Sequence, residues 1–174
     1  MKQIILMLLA LAALLHATKA PKMGCILSQQ GEVKANWTAY TSEKLGIQGK
    51  FDNVKYKAIA KEGKNFKAIL VGSTISMDTN ATNFKNKPLL LKLKNIQSKK
   101  RIKRGPRHGV IVFNISLNGV EKDVPMVYFY ETGDMKIKGF IDLSDFKLAD
   151  ETTYVEIVVE LSINSIVCAL PHKK

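Results

Sequence analysis

The chain has 174 residues, 46% of them hydrophobic and 24% charged, a globular composition that can form a packed core and is unlike that of a disordered chain. The length suits one domain and argues against a multidomain assembly. With 27 Lys and Arg against 15 Asp and Glu, the net charge is +12, an excess that favours an anionic partner such as nucleic acid, lipid headgroups or cell wall.

Lys2 precedes an unbroken apolar run from Ile4 to Leu15, which ends in His16-Ala17-Thr18-Lys19-Ala20. This is the layout of a secretory signal, and the run is too short for a spanning helix, which needs about 20 residues. We therefore expect residues 1–20 to be a signal peptide and residues 21–174 to form a single exported domain, periplasmic or secreted. Nucleic acid is not expected as a partner there.

Export changes how Cys25 and Cys168, the only two cysteines, are read. In an oxidising compartment one disulfide between them is the simplest pairing, and it requires the two ends of the domain to be adjacent. Two free thiols or a lipidated Cys25 are the alternatives. The two cysteines lack the pair of nearby His partners at ligand spacing that a metal site would need, so none is expected.

In chain order, Val33, Ala35, Trp37 and Ala39 alternate with polar neighbours, the period-2 pattern of a strand with one apolar face. The same pattern recurs over residues 45–52 and 54–60. Asn65 is placed to cap a short helix carrying Phe66, Ile69 and Leu70, with Gly72 as its stop. A fourth strand follows at 74–78. Pro88 then suits the first turn of a second helix, because Leu89, Leu93 and Ile96 fall at i, i+4 and i+7. Strands are expected at 111–117, where Asn118-Gly119 signals a hairpin, and then at 123–132, 135–142 and 155–163.

Eight strands joined mostly by tight turns can close into an antiparallel up-and-down barrel and so remove exposed edges. One or two short helices would cover one end. Such a barrel is either filled by side chains or wide enough for one small ligand, and the pattern alone leaves both open. Closure sets the first strand beside the eighth, the adjacency that a Cys25–Cys168 bridge needs.

Several stretches resemble the YceI-like family of exported, lipocalin-like lipid-binding proteins. They are Val33 to Tyr40 with Lys44 to Val54, Gly72 to Thr79, Leu117 to Pro125, and Ile137 to Phe146, and they occur in the family's order. The resemblance implies an eight-stranded barrel that holds a polyisoprenoid, an isoprenoid quinone or a fatty-acid-like amphiphile, and that catalyses nothing. It tips the choice towards a lumen with cargo space. A bound isoprenoid-type lipid is the only cofactor-like group it implies.

An apolar chain is held by area removed from water, at about 25 cal/mol per Å². Trp37, Phe51 and Phe113 would supply broad walls to such a lumen. Ile47, Ile75, Met77, Ile115, Ile141, Ile157 and Val159 would line it, and Phe66, Leu70, Leu89 and Leu93 would cover its entrance. Catalysis is not expected. His16 leaves with the signal, His172 lies in the terminal tail, and His108 sits in a run of cations with no carboxylate beside it in sequence to orient a general base.

Lys99, Lys100, Arg101, Lys103, Arg104 and Arg107 crowd into nine positions broken by Gly105-Pro106, a loop or hairpin tip. Attraction to an anionic membrane surface, at about 1 kcal/mol per cation near it, would bring the carrier to its lipid. The alternative is a basic adaptor for anionic membrane or cell-wall polymers, built on a filled barrel. A homodimer is compatible with the sequence.

Overall fold

The alternating stretches become strands that pair antiparallel with their neighbours. The computed structural model describes residues 25–27, 32–40, 46–59, 62–63, 65–79, 84–98, 107–131, 134–148, 153–162 and 166–168. The expected signal peptide lies outside these residues. In chain order the strands are β1 (Cys25–Leu27), β2 (Lys34–Tyr40), β3 (Gly46–Lys50), β4 (Asp52–Lys57), β5 (Glu62–Gly63), β6 (Thr74–Asp78), β7 (Leu89–Ser98), β8 (Arg107–Leu117), β9 (Val120–Glu131), β10 (Asp134–Asp142), β11 (Tyr154–Ser162) and β12 (Ile166–Cys168).

Nine of these form one sheet in the order β3-β2-β11-β10-β9-β8-β7-β6-β4. Its two edges, β3 and β4, are consecutive in the chain and separated only by Phe51. That single residue joins the edges covalently, and the sheet rolls into an antiparallel, nearly closed barrel. Closure sets β2 beside β11, with Trp37 opposite Ile157 and Ala35 opposite Val159. Inward residues from all around the wall meet in one apolar core.

The barrel has nine strands where eight were expected, and the additional one is β7. The second helix expected after Pro88 is in fact this strand. Leu89, Leu91 and Leu93 point inward and are buried, while Leu90 is 40% exposed. The pairing with β8 then slips: Leu93 is opposite Phe113, but Asn95 is opposite Val112. Lys94 is the extra residue of a β-bulge, which reverses the inward parity and buries Ile96. Inward positions 89, 93 and 96 thus fall at helical spacing although the backbone is extended. Leu89 and Leu93 are wall residues of the barrel and not part of a helical cover.

The first expected helix does form, as α1 (Phe66–Leu70). Asn65 caps it, its Oδ1 accepting from the Ala68 N–H at 2.9 Å, and the helix ends before Gly72. It lies against β1, β5 and β7, and Ile69 and Leu70 are buried. The small sheet β12-β1-β5 lies beside it, so helix and sheet together cap the end of the barrel where β2 and β6 begin. Within that cap Cys25 is directly opposite Cys168 in register.

At the other end the β8–β9 hairpin turns through Asn118 and Gly119, both with positive φ, as a two-residue hairpin requires. Asn118 Nδ2 donates to the Phe146 carbonyl at 3.1 Å, tying this turn to a 3-10 turn at Ser144–Phe146. Phe84, from the β6–β7 connection, is fully buried and touches Trp37 and Phe51 edge-on at centroid distances of 5.7 and 5.6 Å.

Candidate functional site

Alternation along each strand aims one set of side chains into the barrel. Trp37, Phe51, Ile75, Met77, Phe113, Ile115, Ile141, Ile157 and Val159, all expected to face the lumen, are buried in the common core. Ile47 is not. It is opposite Ala39 and so shares the inward face, but β3 is an edge of the sheet and Ile47 is 53% exposed. Leu70 is buried beneath α1, and the side chain of Phe66 lies outside what the structure describes.

Packed apolar side chains line the interior. The space bordered by Tyr56, Leu70, Ser73, Ile75, Leu93, Phe113, Met135, Ile137 and Leu161 is about 10 Å³, at the lower limit of what one water needs. Buried polar side chains are few among the described residues: Ser73 and Thr79 lie inside, and Trp37 Nε1 and Asn95 Oδ1 have no hydrogen-bond partner. No group of three metal-ligating side chains occurs among the described residues.

A larger space lies in the wall. A cleft of about 750 Å³ runs between the start of β2, residues 32–36, and residues 50–56 of β3, Phe51 and β4. Its cause is local. The β2–β3 ladder runs out after Asn36 opposite Lys50, with one more bond from the Phe51 N–H to the Ala35 carbonyl at 3.0 Å. Asn53 then adopts a left-handed conformation, φ 49°, which Asn tolerates better than most residues. The register of β4 against β6 shifts between Asp52 and Lys55. Asn53 Nδ2 fixes the kink by donating to Asp78 Oδ2 at 2.8 Å. Beyond the kink β4 is paired only with β6, so its other edge faces the cleft.

The cleft has two kinds of lining. Val33, Ala35 and Phe51 belong to the buried core, with Val54 and Tyr56 packed against it. Lys34, Lys50 and Lys55 stand on the rim with Glu32, Asp52 and the two asparagines Asn36 and Asn53. Tyr56 borders both the cleft and the interior space. Its hydroxyl hydrogen-bonds Ser73 Oγ at 3.1 Å. Burial pushes the Tyr56 phenol above its ordinary value, and the Ser73 bond draws it partly back.

Elsewhere the charges are surface features. Lys136 pairs with Glu160 and Lys138 with Glu156, each at 3.0 Å across β10 and β11. Lys94 and Asn114 both donate to Asp123 and hold its carboxyl below the usual carboxylate range. The Lys94–Asp123 and Lys136–Glu160 pairs are exposed on both sides and add little stability. Of the basic run, Arg107 is the exposed first residue of β8. Residues 99–106, with the other five cations, lie outside the described residues, although β7 and β8 on either side pair with each other as the arms of a hairpin.

No protein-family model matches the chain, and no curated protein does. Among solved structures it is similar to the crystal structure of Burkholderia cenocepacia BcnA. Identity is 11%, the match covers 74% of this chain and 94% of that chain, and the TM-score is 0.48. The barrel is thus read from this chain's own strand order and register.

Sequence reasoning missed the cleft and Phe84. Phe84 is a lone aromatic in a connection, with no periodicity to mark it. The cleft did have a local signal, Asp52-Asn53 inside an alternating run, since both residues favour turns and left-handed backbone.

Proposed function

We propose that the protein is a non-catalytic carrier that binds a long-chain apolar lipid, such as a polyisoprenoid, an isoprenoid quinone or a fatty-acid-like amphiphile, against the interior of its barrel. One observation carries this reading. Val33, Ala35, Phe51, Val54 and Tyr56 lie on or against the barrel core and also line a cleft of about 750 Å³, within the size range of small-molecule sites. The resemblance of residues 33–40, 44–54, 72–79, 117–125 and 137–146 to the YceI-like family supports it.

In this reading Trp37, Phe51, Ile75, Met77, Phe113, Ile115, Ile141, Ile157 and Val159 are the surfaces against which an apolar chain exchanges water contact for protein contact. The space beside Tyr56 is about 10 Å³, so a chain that enters there must displace side chains. Phe84, held by ring contacts at the end of the barrel, and Tyr56, at the wall, are placed to yield. The carrier is exported, and the cations of residues 99–107 bring it to anionic membrane.

Native mass spectrometry of protein purified from its host, followed by organic extraction, tests this. Co-purifying lipid is the expected result. Protein that is uniformly lipid-free and takes up neither isoprenoid quinone nor polyprenyl phosphate overturns it. The tight packing around that space favours a second reading, a structural barrel whose basic residues 99–107 are an adaptor for anionic polymers. Neutralising the six cations separates the two: a carrier loses vesicle binding but keeps lipid uptake, whereas an adaptor loses all function.

A further inference from the structure

We propose that the cleft between β2 and β4 is a lateral portal of the barrel, which holds the anionic headgroup of a single-chain amphiphile while its tail passes Tyr56 into the interior. The proposal rests on the carrier reading and adds the place of access and the chemistry of the headgroup.

Three observations converge on the cleft. First, the wall is not hydrogen-bonded there. Past the Phe51–Ala35 bond no ladder joins β2 to β4, so widening the gap breaks no strand pairing. Second, Tyr56 is a shared wall. It stands between the cleft and the space bordered by Ile75, Leu93, Phe113 and Ile137, and rotating this one side chain off Ser73 would connect the two.

Third, the rim carries uncommitted positive charge. Lys34, Lys50 and Lys55 line the cleft, and none has an ion-pair partner among the described residues. By contrast Lys94, Lys122, Lys136 and Lys138 are each paired with a carboxylate. Three ammonium groups against the carboxylates of Glu32 and Asp52 leave the rim net positive. A carboxylate or phosphate headgroup gains an ion pair as well as hydrogen bonds from such amines, whereas a neutral alcohol or quinone head gains hydrogen bonds alone. The apolar floor beneath accepts the start of the tail.

The test follows stopped-flow uptake of cis-parinaric acid and of its neutral alcohol analogue by the full chain. The rim variant is Lys34→Glu with Lys50→Glu and Lys55→Glu. A control with the same charge change carries Lys85→Glu, Lys87→Glu and Lys92→Glu, none of which lines the cleft. The expected result is that the rim variant takes up the acid about tenfold or more slowly, the size of an electrostatic steering effect, while its alcohol uptake and the acid uptake of the control stay near wild type. Tyr56→Ala should speed uptake of both probes.

Should the charge-reversed protein fail to fold, the triple Lys→Gln variant serves in its place, with a smaller loss in the same direction. Acid uptake that the rim variant leaves unchanged, or that rim and control slow equally, overturns the portal and leaves the carrier standing. Uptake of neither probe by the wild-type protein overturns both.

Discussion

Gly49 is directly opposite Trp37 across the β2–β3 pair, and the indole occupies the space where a side chain at 49 would stand. A Cβ at Gly49 would lie 2.3 Å from Trp37 Cζ2. Phe84 packs edge-on against the indole, so a shift of the ring disturbs that contact. Gly49→Ala should therefore destabilise by about 1–3 kcal/mol, the usual cost of overpacking, even though alanine normally suits a strand better than glycine. Urea unfolding checks this, and an unchanged midpoint would show that the indole yields freely.

Phe84 fills one end of the interior without being part of any strand. Phe84→Ala should cost about 3–5 kcal/mol, since it leaves a cavity lined by Trp37 and Phe51. If the interior accepts an apolar chain, the same substitution should raise uptake of a fluorescent lipid as stability falls. A variant that loses stability with no gain in uptake would favour the filled, structural barrel.

Tyr56 predicts a pH effect whose sign follows from its environment. Burial raises its folded pKa above the ordinary 10.0, so the folded protein prefers the neutral phenol. That contribution is complete below the ordinary value and is lost as pH rises through the folded one. Tyr56→Phe should remove the difference and flatten the alkaline decline in stability relative to wild type. At neutral pH it should cost about 1 kcal/mol for the lost bond to Ser73. Paired thermal melts across neutral and alkaline pH measure both effects.

Asn53 is the residue on which β4 bends away from β2. Its left-handed backbone and its bond to Asp78 predict that Asn53→Ala loses about 1–2 kcal/mol. Asn53→Gly, which tolerates the conformation but lacks the amide, should lose less. Chemical denaturation of the two variants side by side tests the ranking.

Cys25 and Cys168 are partners in the β1–β12 register, and we propose that they form the disulfide expected from the sequence. Peptide mapping without reductant should recover the linked pair from protein purified from its host. Reduction should then lower stability by about 2–5 kcal/mol. Two alkylatable thiols in the native protein from its host would refute the bridge.

The strands were legible because alternation is a local property: each of Trp37, Phe113, Ile137 and Ile157 declares its face through its immediate neighbours. The cap at Asn65 and the turn at Asn118-Gly119 were legible for the same reason, since a short polar side chain and a permissive backbone act within a few residues. β7 was misread because a bulge is a relation between two strands. Only the slip of Leu93 and Asn95 against Phe113 and Val112 shows why Ile96 is inside, and without it the spacing of 89, 93 and 96 reads as helix.

By itself, then, the sequence determined an antiparallel all-β chain, the apolar face of most of its strands, and the short capped helix, since each depends on residues that are near neighbours in the chain. Tertiary structure alone decided that β3 and β4 would close the barrel through Phe51, that Ile47 would be exposed on an edge, and that a cleft would open beside Tyr56. Those outcomes depend on where hydrogen-bonded ladders begin and end, and a ladder joins residues that the chain order keeps far apart.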